Sequence, residues 1–161
     1  MVTSLFTKES TMKTVEQLLK GKPAAIVGIS PNASVLDALK LLAEKNVGAI
    51  LVMEGERLAG IISERDYARK VALKGKSSAD TPVSEVMTRS VVCVSLHHTN
   101  EDCMGLMTQK HIRHLPVVDG EILLGMLSLR DVLQTLVTET EGKIEFLQNY
   151  MFHLPPAETG G

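Results

Sequence analysis

Aromatic residues are scarce in this chain of 161 residues: they account for 3% of it, and tryptophan is absent. A planar ligand therefore has to lie against aliphatic side chains or arginine instead of an aromatic platform. Cysteine is almost as rare, and the two thiols, Cys93 and Cys103, form neither a disulfide framework nor a Cys-x-x-Cys pair. We therefore expect a reducing compartment, the cytoplasm.

An excess of one charge and long apolar runs are also missing. The formal net charge is −2, which creates no broad field to attract nucleic acid or an anionic membrane. No apolar run approaches the roughly 20 residues that a membrane-spanning helix needs. The first residues lack the basic start and apolar segment of a secretion signal. We expect no nucleic acid and no membrane as partner, with nucleic-acid binding through Lys110 and Arg113 kept as an alternative.

Signatures of catalysis are absent as well. The sequence contains no Gly-x-Ser-x-Gly elbow, no Gly-x-x-x-x-Gly-Lys loop and no Gly-x-Gly-x-x-Gly turn. Asp66 and Asp131 are candidate acid–base groups, but each follows an arginine, which keeps a carboxylate ionised and a poor proton donor. The histidines at 97, 98, 111 and 114 flank one predicted helix at its two ends, which does not favour a shared zinc or copper site. We predict no enzyme and no metal; a small nucleotide hydrolase remains the alternative.

What the chain does contain is one short stretch used twice. Residues 60–66 read Gly-Ile-Ile-Ser-Glu-Arg-Asp, and residues 125–131 read Gly-Met-Leu-Ser-Leu-Arg-Asp. The two copies lie 65 positions apart, and this spacing holds without a gap from Ile26/Val91 to Val71/Leu136. Two units of this length indicate a paired, pseudo-twofold domain, because a solenoid needs at least three shorter repeats.

Hydrophobic periodicity predicts the same order of elements in both halves. Helices are expected over 12–20, 35–46, 64–73, 83–87, 100–110 and 129–138, and strands over 25–29, 49–53, 58–62, 91–94, 115–118 and 122–127. The predicted class is α/β (α+β), with two β-α-β-β-α units packed through their sheets. The predicted divisions are a tail and helix (1–22), the first unit (23–75), a linker (76–82), the second unit (83–140) and a C-terminal segment (141–161).

The C-terminal segment has no counterpart in the first half. Ile144, Leu147, Tyr150 and Met151 follow helical spacing, which predicts an amphipathic helix over 143–154, and residues 157–161 are expected to be disordered. Such a helix either covers the shared core or forms a dimer contact, and the pattern does not choose between the two.

The repeated Ser-x-Arg-Asp has two interpretations. Ser63 and Asp66 are spaced for a capping box at the start of a helix, and this structural role explains both residues. Capping does not need Arg65, however, and the same arginine recurs in the second copy. A guanidinium suits phosphate, and a carboxylate beside it suits the two hydroxyls of a ribose. The duplication therefore favours a nucleotide site.

The chain resembles a pair of CBS domains, the tandem often called a Bateman module. The resemblance spans about residues 12–138 and is carried by both Gly-x-x-Ser-x-Arg-Asp stretches, by residues 111–120 and by residues 83–88. It implies a regulatory protein that binds an adenine nucleotide (AMP, ADP, ATP or NAD(H), with S-adenosylmethionine as a further candidate). It also implies signalling through shape or oligomeric state, a homodimer and an unknown protein target. The alternative is a ligand-free interaction module.

The resemblance implies two clefts between the units. We call them the first cleft (Ser63, Arg65, Asp66, Val92, Ile112, Arg113 and His114) and the mirror cleft (Ser128, Arg130, Asp131, Val27, Val47, Gly48 and Ala49). The valines and Ile112 can wall an adenine base. Arg113 and His114 in place of Gly48 and Ala49 favour a ligand with more phosphate in the first cleft. The first unit departs from the family pattern, because Lys22-Pro23 stands where the second unit has Met87-Thr88.

Overall fold

A computed structural model gives the fold of the chain and describes residues 12–22 and 26–152. The helices are α1 (Val15–Lys20), α2 (Val35–Lys45), α3 (Glu64–Tyr67), α4 (Val83–Val86), α5 (Asn100–Lys110) and α6 (Leu129–Phe152). The strands are β1 (Gly28–Ile29), β2 (Ala49–Glu54), β3 (Arg57–Ser63), β4 (His114–Asp119) and β5 (Ile122–Ser128). The mixed helix and strand content confirms the predicted α+β class.

Each unit is built on an antiparallel hairpin with the same irregularity. The register shifts between Val52 and Met53 in β2 and between Val117 and Val118 in β4, which are equivalent positions of the repeat. The turns of both hairpins contain a glycine with positive φ, +62° at Gly55 and +60° at Gly120, where a side chain would be strained. The repeat seen in the sequence is thus a repeat of local geometry.

The first strand of the second unit is shorter than predicted. In the first unit β1 pairs in parallel with β2 over two residues, whereas residues 91–94 contribute a single bridge, from Val94 to Val117. The N–H of Val91 instead donates to the carbonyl of Arg89 at 3.0 Å. This tight turn carries Val91 and Val92 away from the sheet, so the prediction of a strand over 91–94 is wrong at its first residues.

The units exchange the helices that lead into them. The side chains of Val15 and Leu18 on α1, which precedes the first unit, are buried in the core of the second unit with α5, β4, β5 and α6. Conversely, Val83 and Val86 on α4, which precedes the second unit, are buried in the core of the first. Each unit is therefore completed by a helix from the chain segment that leads into the other.

Several predicted helix bounds differ from the structure. Helix α1 begins at Val15 and not at Met12, because Thr14 forms a capping box with Gln17. Beyond α3, residues Ala68–Ala72 wind as a π-helix instead of continuing the α-helix. The two helices expected over 129–138 and 143–154 are one helix up to Phe152; Gly142 lies inside it, although a glycine there costs about 1 kcal/mol relative to alanine.

In the C-terminal part of α6, the described apolar side chains Ile144 and Leu147 do not cover the shared core. The side chains of Ile144 and Leu147 are about half exposed, at 50% and 56%. Residues 141–145 are all exposed. The predicted end of this helix at 153–154 and the tail at 157–161 lie outside the described residues, as does the start of the predicted strand over 25–29.

Candidate functional site

The end of β3 and the start of α3 hold Ser63 and Asp66 in a closed arrangement. One carboxylate oxygen of Asp66 accepts hydrogen bonds from the N–H and the hydroxyl of Ser63, both at 2.9 Å, while the Ser63 hydroxyl accepts from the N–H of Asp66 at 3.2 Å. The other carboxylate oxygen lies 2.9 Å from the ammonium of Lys70. The capping box that the spacing predicts is confirmed, so the ribose-binding role of Asp66 depends on the groove around it.

Asp131 repeats the same cap at the start of α6 and adds a partner from far along the chain. Its Oδ2 accepts from the N–H of Ser128 at 2.7 Å and from the Ser128 hydroxyl at 2.9 Å. The ammonium of Lys22 reaches the same oxygen at 2.7 Å and also donates to the carbonyl of Met126 at 2.9 Å. Burial raises the pKa of Asp131, but the hydrogen bonds from Lys22 and Ser128 outweigh it, so the pKa lies below its usual value.

A cavity of about 620 Å³ opens between the two units beside α3. It is lined by Gly48, Ala49, Ile61, Ser63, Glu64, Arg65, Asp66, Thr88, Ser90, Val91, Val92, His111, Ile112, Arg113 and His114. All seven residues predicted for the first cleft thus border one cavity. Arg65 reaches across it, with Nη1 3.5 Å from the carbonyl oxygen of His111.

The wall shared by the two units contains His114. A methyl group added at Gly48 would lie 3.7 Å from Cε1 of His114, so the imidazole stands against the glycine backbone. Burial lowers the pKa of His114, and the cations of Lys22 and Arg113 lower it further, while Asp131 and Glu64 act in the opposite direction. The imidazole is thus biased toward its neutral form, which leaves Arg65 and Arg113 as the permanent cations of the cavity.

The residues predicted for the mirror cleft are not gathered in the same way. Ser128 and Arg130 border a shallow groove of about 590 Å³ that also touches Arg113 and His114, whereas Asp131 borders a separate pocket of about 260 Å³ with Lys22. Val27 and Val47 pack against the core of the first unit. Gly48 and Ala49 line the first cleft instead. None of these three cavities is lined by Asp131 together with Val27 or Val47.

Lys22 is the residue of this region that sequence reasoning missed. The 65-residue spacing places Lys22-Pro23 opposite Met87-Thr88, but the structure pairs other residues. A methyl group at Gly60 would meet Met87, and at the equivalent Gly125 it would meet Leu19. Leu19 therefore takes the place of Met87, 68 positions away, because three more residues lie between Leu19 and Ile26 than between Met87 and Val91. A search that allowed this gap would have found the match.

The described residues show neither a metal site nor a membrane-spanning helix. Across residues 12–22 and 26–152, no three His, Cys, Asp or Glu side chains lie together in a way that could hold a metal ion. In the same described part of the chain, no helix combines the length and apolar character needed to span a membrane.

Comparisons with known proteins agree with this geometry. The CBS-domain family matches this chain over residues 24–73 and 83–138. The CBS domain-containing protein CBSX3, mitochondrial, of Arabidopsis thaliana is 36% identical over 152 residues, covering 89% of this chain and 73% of its own. A CBS-domain protein of Burkholderia ambifaria MC40-6 with a signal-transduction designation is 46% identical, with a TM-score of 0.76, and covers 78% of this chain and 95% of its own.

A more distant structure shares the fold alone. The CBS domain pair of protein MJ0100, in complex with 5′-methylthioadenosine and S-adenosyl-L-methionine, is 22% identical with a TM-score of 0.70, covering 80% of this chain and 98% of its own. Together with the repeated hairpins and the two exchanged helices, these matches show that the chain belongs to the CBS-domain family and carries two CBS domains in tandem.

Proposed function

We propose that the protein is a regulatory module that binds an adenine nucleotide in the first cleft and transmits its occupancy to a partner. The observation that carries this proposal is the cavity of about 620 Å³ to which both units contribute. Its volume lies within the roughly 300–1,000 Å³ typical of small-molecule sites. A ligand that touches both units can shift their arrangement only if it binds one arrangement more tightly than another.

The chemistry of the lining suits the parts of a nucleotide. Val92 and Ile112 offer an aliphatic wall to a base, consistent with a chain that has no tryptophan. Arg65 and Arg113 supply two guanidinium groups for phosphate. Asp66 keeps its carboxylate at the cavity wall, where ribose hydroxyls can replace or share the hydrogen bonds that now come from Ser63.

The ligand class follows from the same groups. Two arginines favour a ligand with phosphate, so AMP, ADP, ATP and NAD(H) are the first candidates. S-adenosylmethionine follows because a CBS pair of the same fold is known with two adenosine compounds. The free thiols Cys93 and Cys103 are consistent with a reducing compartment such as the cytoplasm. We propose a binding role without catalysis.

Calorimetric titration of these ligands against Asp66→Ala tests the proposal. We expect the variant to bind about 5- to 150-fold more weakly, which corresponds to the loss of about 1–3 kcal/mol for hydrogen bonds to a charged group. Asp102→Ala is the matched control, because Asp102 forms an equivalent capping box with Thr99 on α5, outside the first cleft. It should lose a helix cap and keep full affinity.

Three results would contradict the proposed nucleotide-binding function, each in a different part. Equal affinity of Asp66→Ala and the parent would leave Asp66 with its capping role alone. Absence of binding by ligand-free protein to every nucleotide would favour the ligand-free interaction module. Slow loss of ATP that is abolished in Asp66→Ala would instead support the hydrolase alternative.

The transmission step involves oligomerisation through α6. Leu133, Val137, Ile144 and Leu147 are all about half exposed and recur at spacings of 4, 7 and 3 residues, which places them on one side of the helix. Such a stripe suits a second helix, and we propose a homodimer. Sedimentation equilibrium should show a dimer that weakens in Ile144→Ser and persists in the neighbouring control Gln148→Ser. An unchanged mass for Ile144→Ser would exclude this face.

A further inference from the structure

We propose that Lys22 is a built-in occupant of the mirror cleft, so that each chain binds one nucleotide and not two. This inference rests on the proposed function of the first cleft and adds a cause for the inequality of the two sites. It concerns a residue that lies outside both repeated motifs.

The pseudo-twofold relation matches the segment that carries Lys22 to the segment that carries Ser90. Thr14 forms an antiparallel bridge with Thr99, and Pro82 forms the equivalent bridge with Ser34, so the segments before α1 and α4 dock in the same way on opposite units. Leu19 and Met87 are also equivalent, as shown by their contacts with Gly125 and Gly60. Beyond these positions the two segments differ, because α1 stays helical to Lys20, whereas Thr88 is already extended and bridges to Ile61.

Ser90 is a lining residue of the first cleft. Its side chain ends one atom beyond Cβ, so it leaves the space in front of Asp66 free. Lys22, three residues beyond Leu19, instead brings a four-carbon stem and a charged end to Asp131. The segment that leads into each unit therefore contributes a short wall residue to one cleft and a long cation to the other.

The cation is held firmly against Asp131. The Lys22 ammonium is 2.7 Å from Asp131 Oδ2 and 2.9 Å from the Met126 carbonyl, and its side chain is only 33% exposed. Oδ2 of Asp131 thus accepts three donors, from Lys22 and from the N–H and hydroxyl of Ser128. A ribose that approached this oxygen would have to displace a charge-assisted hydrogen bond, which is stronger than the neutral one it offers.

Lys70 does not have the same effect on Asp66. It lies one helical turn beyond Asp66 and pairs with the carboxylate oxygen that Ser63 does not use. Its ammonium also donates to the carbonyl of Val86 at 2.9 Å, on the lead-in helix α4. Lys70 therefore comes from the helix that carries Asp66, whereas Lys22 comes from the segment that lines the opposite wall.

Reciprocal substitutions of Lys22 and Ser90 test the proposal. Calorimetric titration with AMP and with ATP should give one equivalent for the parent, weakened about 5- to 150-fold by Asp66→Ala. Lys22→Ser should bind a second equivalent that the parent does not bind, and Asp131→Ala in the Lys22→Ser protein should remove it. The reciprocal Ser90→Lys should suppress the first equivalent. Lys20→Ser, an exposed lysine of α1 paired with Glu16, is the matched control and should leave the parent stoichiometry unchanged.

The outcomes separate this inference from the proposed function. If the parent and Lys22→Ser both bind one equivalent, the inference is wrong and the function of the first cleft stands. If the parent already binds two, or if Lys22→Ser binds less, Lys22 is a ligand-binding residue and the inference is again wrong. Absence of binding in both proteins would reject the proposed function and the inference together. Unfolding curves of all variants verify that each is folded.

Discussion

Gly60 lies where the structure leaves no room for a side chain, and Gly60→Ala should destabilise the protein. A Cβ at this position would stand 2.7 Å from the carbonyl oxygen of Thr88 and 2.9 Å from the sulfur of Met87. The side chain of Met87 can move, but the Thr88 carbonyl cannot move freely. It accepts the N–H of Ile61 at 3.0 Å, and the Thr88 N–H donates back to Ile61 at 2.9 Å.

The magnitude follows from two opposing effects. Forcing an extra carbon into a packed site costs about 1–3 kcal/mol, and hydrogen bonds that stretch in response contribute about 1 kcal/mol each. Replacing glycine by alanine restricts the unfolded chain and returns about 0.4–1 kcal/mol. We expect a net loss of about 1–3.6 kcal/mol in the free energy of unfolding, which adds the loss of about one hydrogen bond to the packing cost and subtracts the gain from restricting the unfolded chain. For a chain of this size the melting temperature falls by about 2–4 °C per kcal/mol.

Gly125→Ala is the matched control. Among the described residues, the equivalent Cβ would meet only the two methyl groups of Leu19, Cδ2 at 3.2 Å and Cδ1 at 4.0 Å, which can shift at little cost. Urea unfolding followed by circular dichroism should therefore show a clear loss for Gly60→Ala and a change within about 0.5 kcal/mol for Gly125→Ala. Equal losses for the two substitutions would refute the claim that the Thr88 carbonyl is held more rigidly than the side chain of Leu19.

Three further predictions concern buried or charged groups. Asn100 is buried, its Oδ1 has no hydrogen-bond partner within residues 12–22 and 26–152, and its equivalent in the first unit is Val35. Asn100→Val should therefore keep or raise the unfolding free energy, by up to about 1 kcal/mol in urea titrations; a loss above that would contradict it. Because the pKa of Asp131 lies below its usual value, its contribution is present above the unfolded value of about 3.9 and is lost as pH falls through the folded pKa. The stability gap between the parent and Asp131→Asn should thus stay constant from pH 7 to about 5 and narrow below about 4, and a gap independent of pH would be inconsistent with this. Burial and the charge of Asp102 raise the pKa of Cys103 to about 11. Iodoacetamide at pH 8 should therefore modify half-buried Cys93 before Cys103, as read by mass spectrometry, and early labelling of Cys103 would show that its site opens.

Much of the fold could be predicted because it is encoded locally. The alternation of apolar residues located both hairpins, and Asp-Gly and Glu-Gly marked their turns at Gly120 and Gly55. The capping boxes followed from Ser-x-x-Asp spacing alone. Helix lengths were less predictable. The helices predicted over 129–138 and 143–154 are one helix, because Gly142 is a single unfavourable residue that the continuous hydrogen bonding of the turns on either side outweighs.

The residues of the first cleft were named from the resemblance to CBS-domain pairs and not from the repeat alone. All seven predicted residues border the same cavity. The sequence was less informative about the mirror cleft. There the deciding residue, Lys22, lies outside the motifs, and three additional residues interrupt the spacing that aligns the rest of the repeat.

The amino-acid sequence by itself determined the repeat, the hairpins, the helix caps and the arginine–aspartate pairs, because each depends on residues within a few positions of one another. Only the tertiary structure decided which lead-in helix completes which core and which side chain meets Asp131. Lys22 and Asp131 are separated by 109 positions. Their contact depends on how α1 docks on the second unit, which no local pattern specifies.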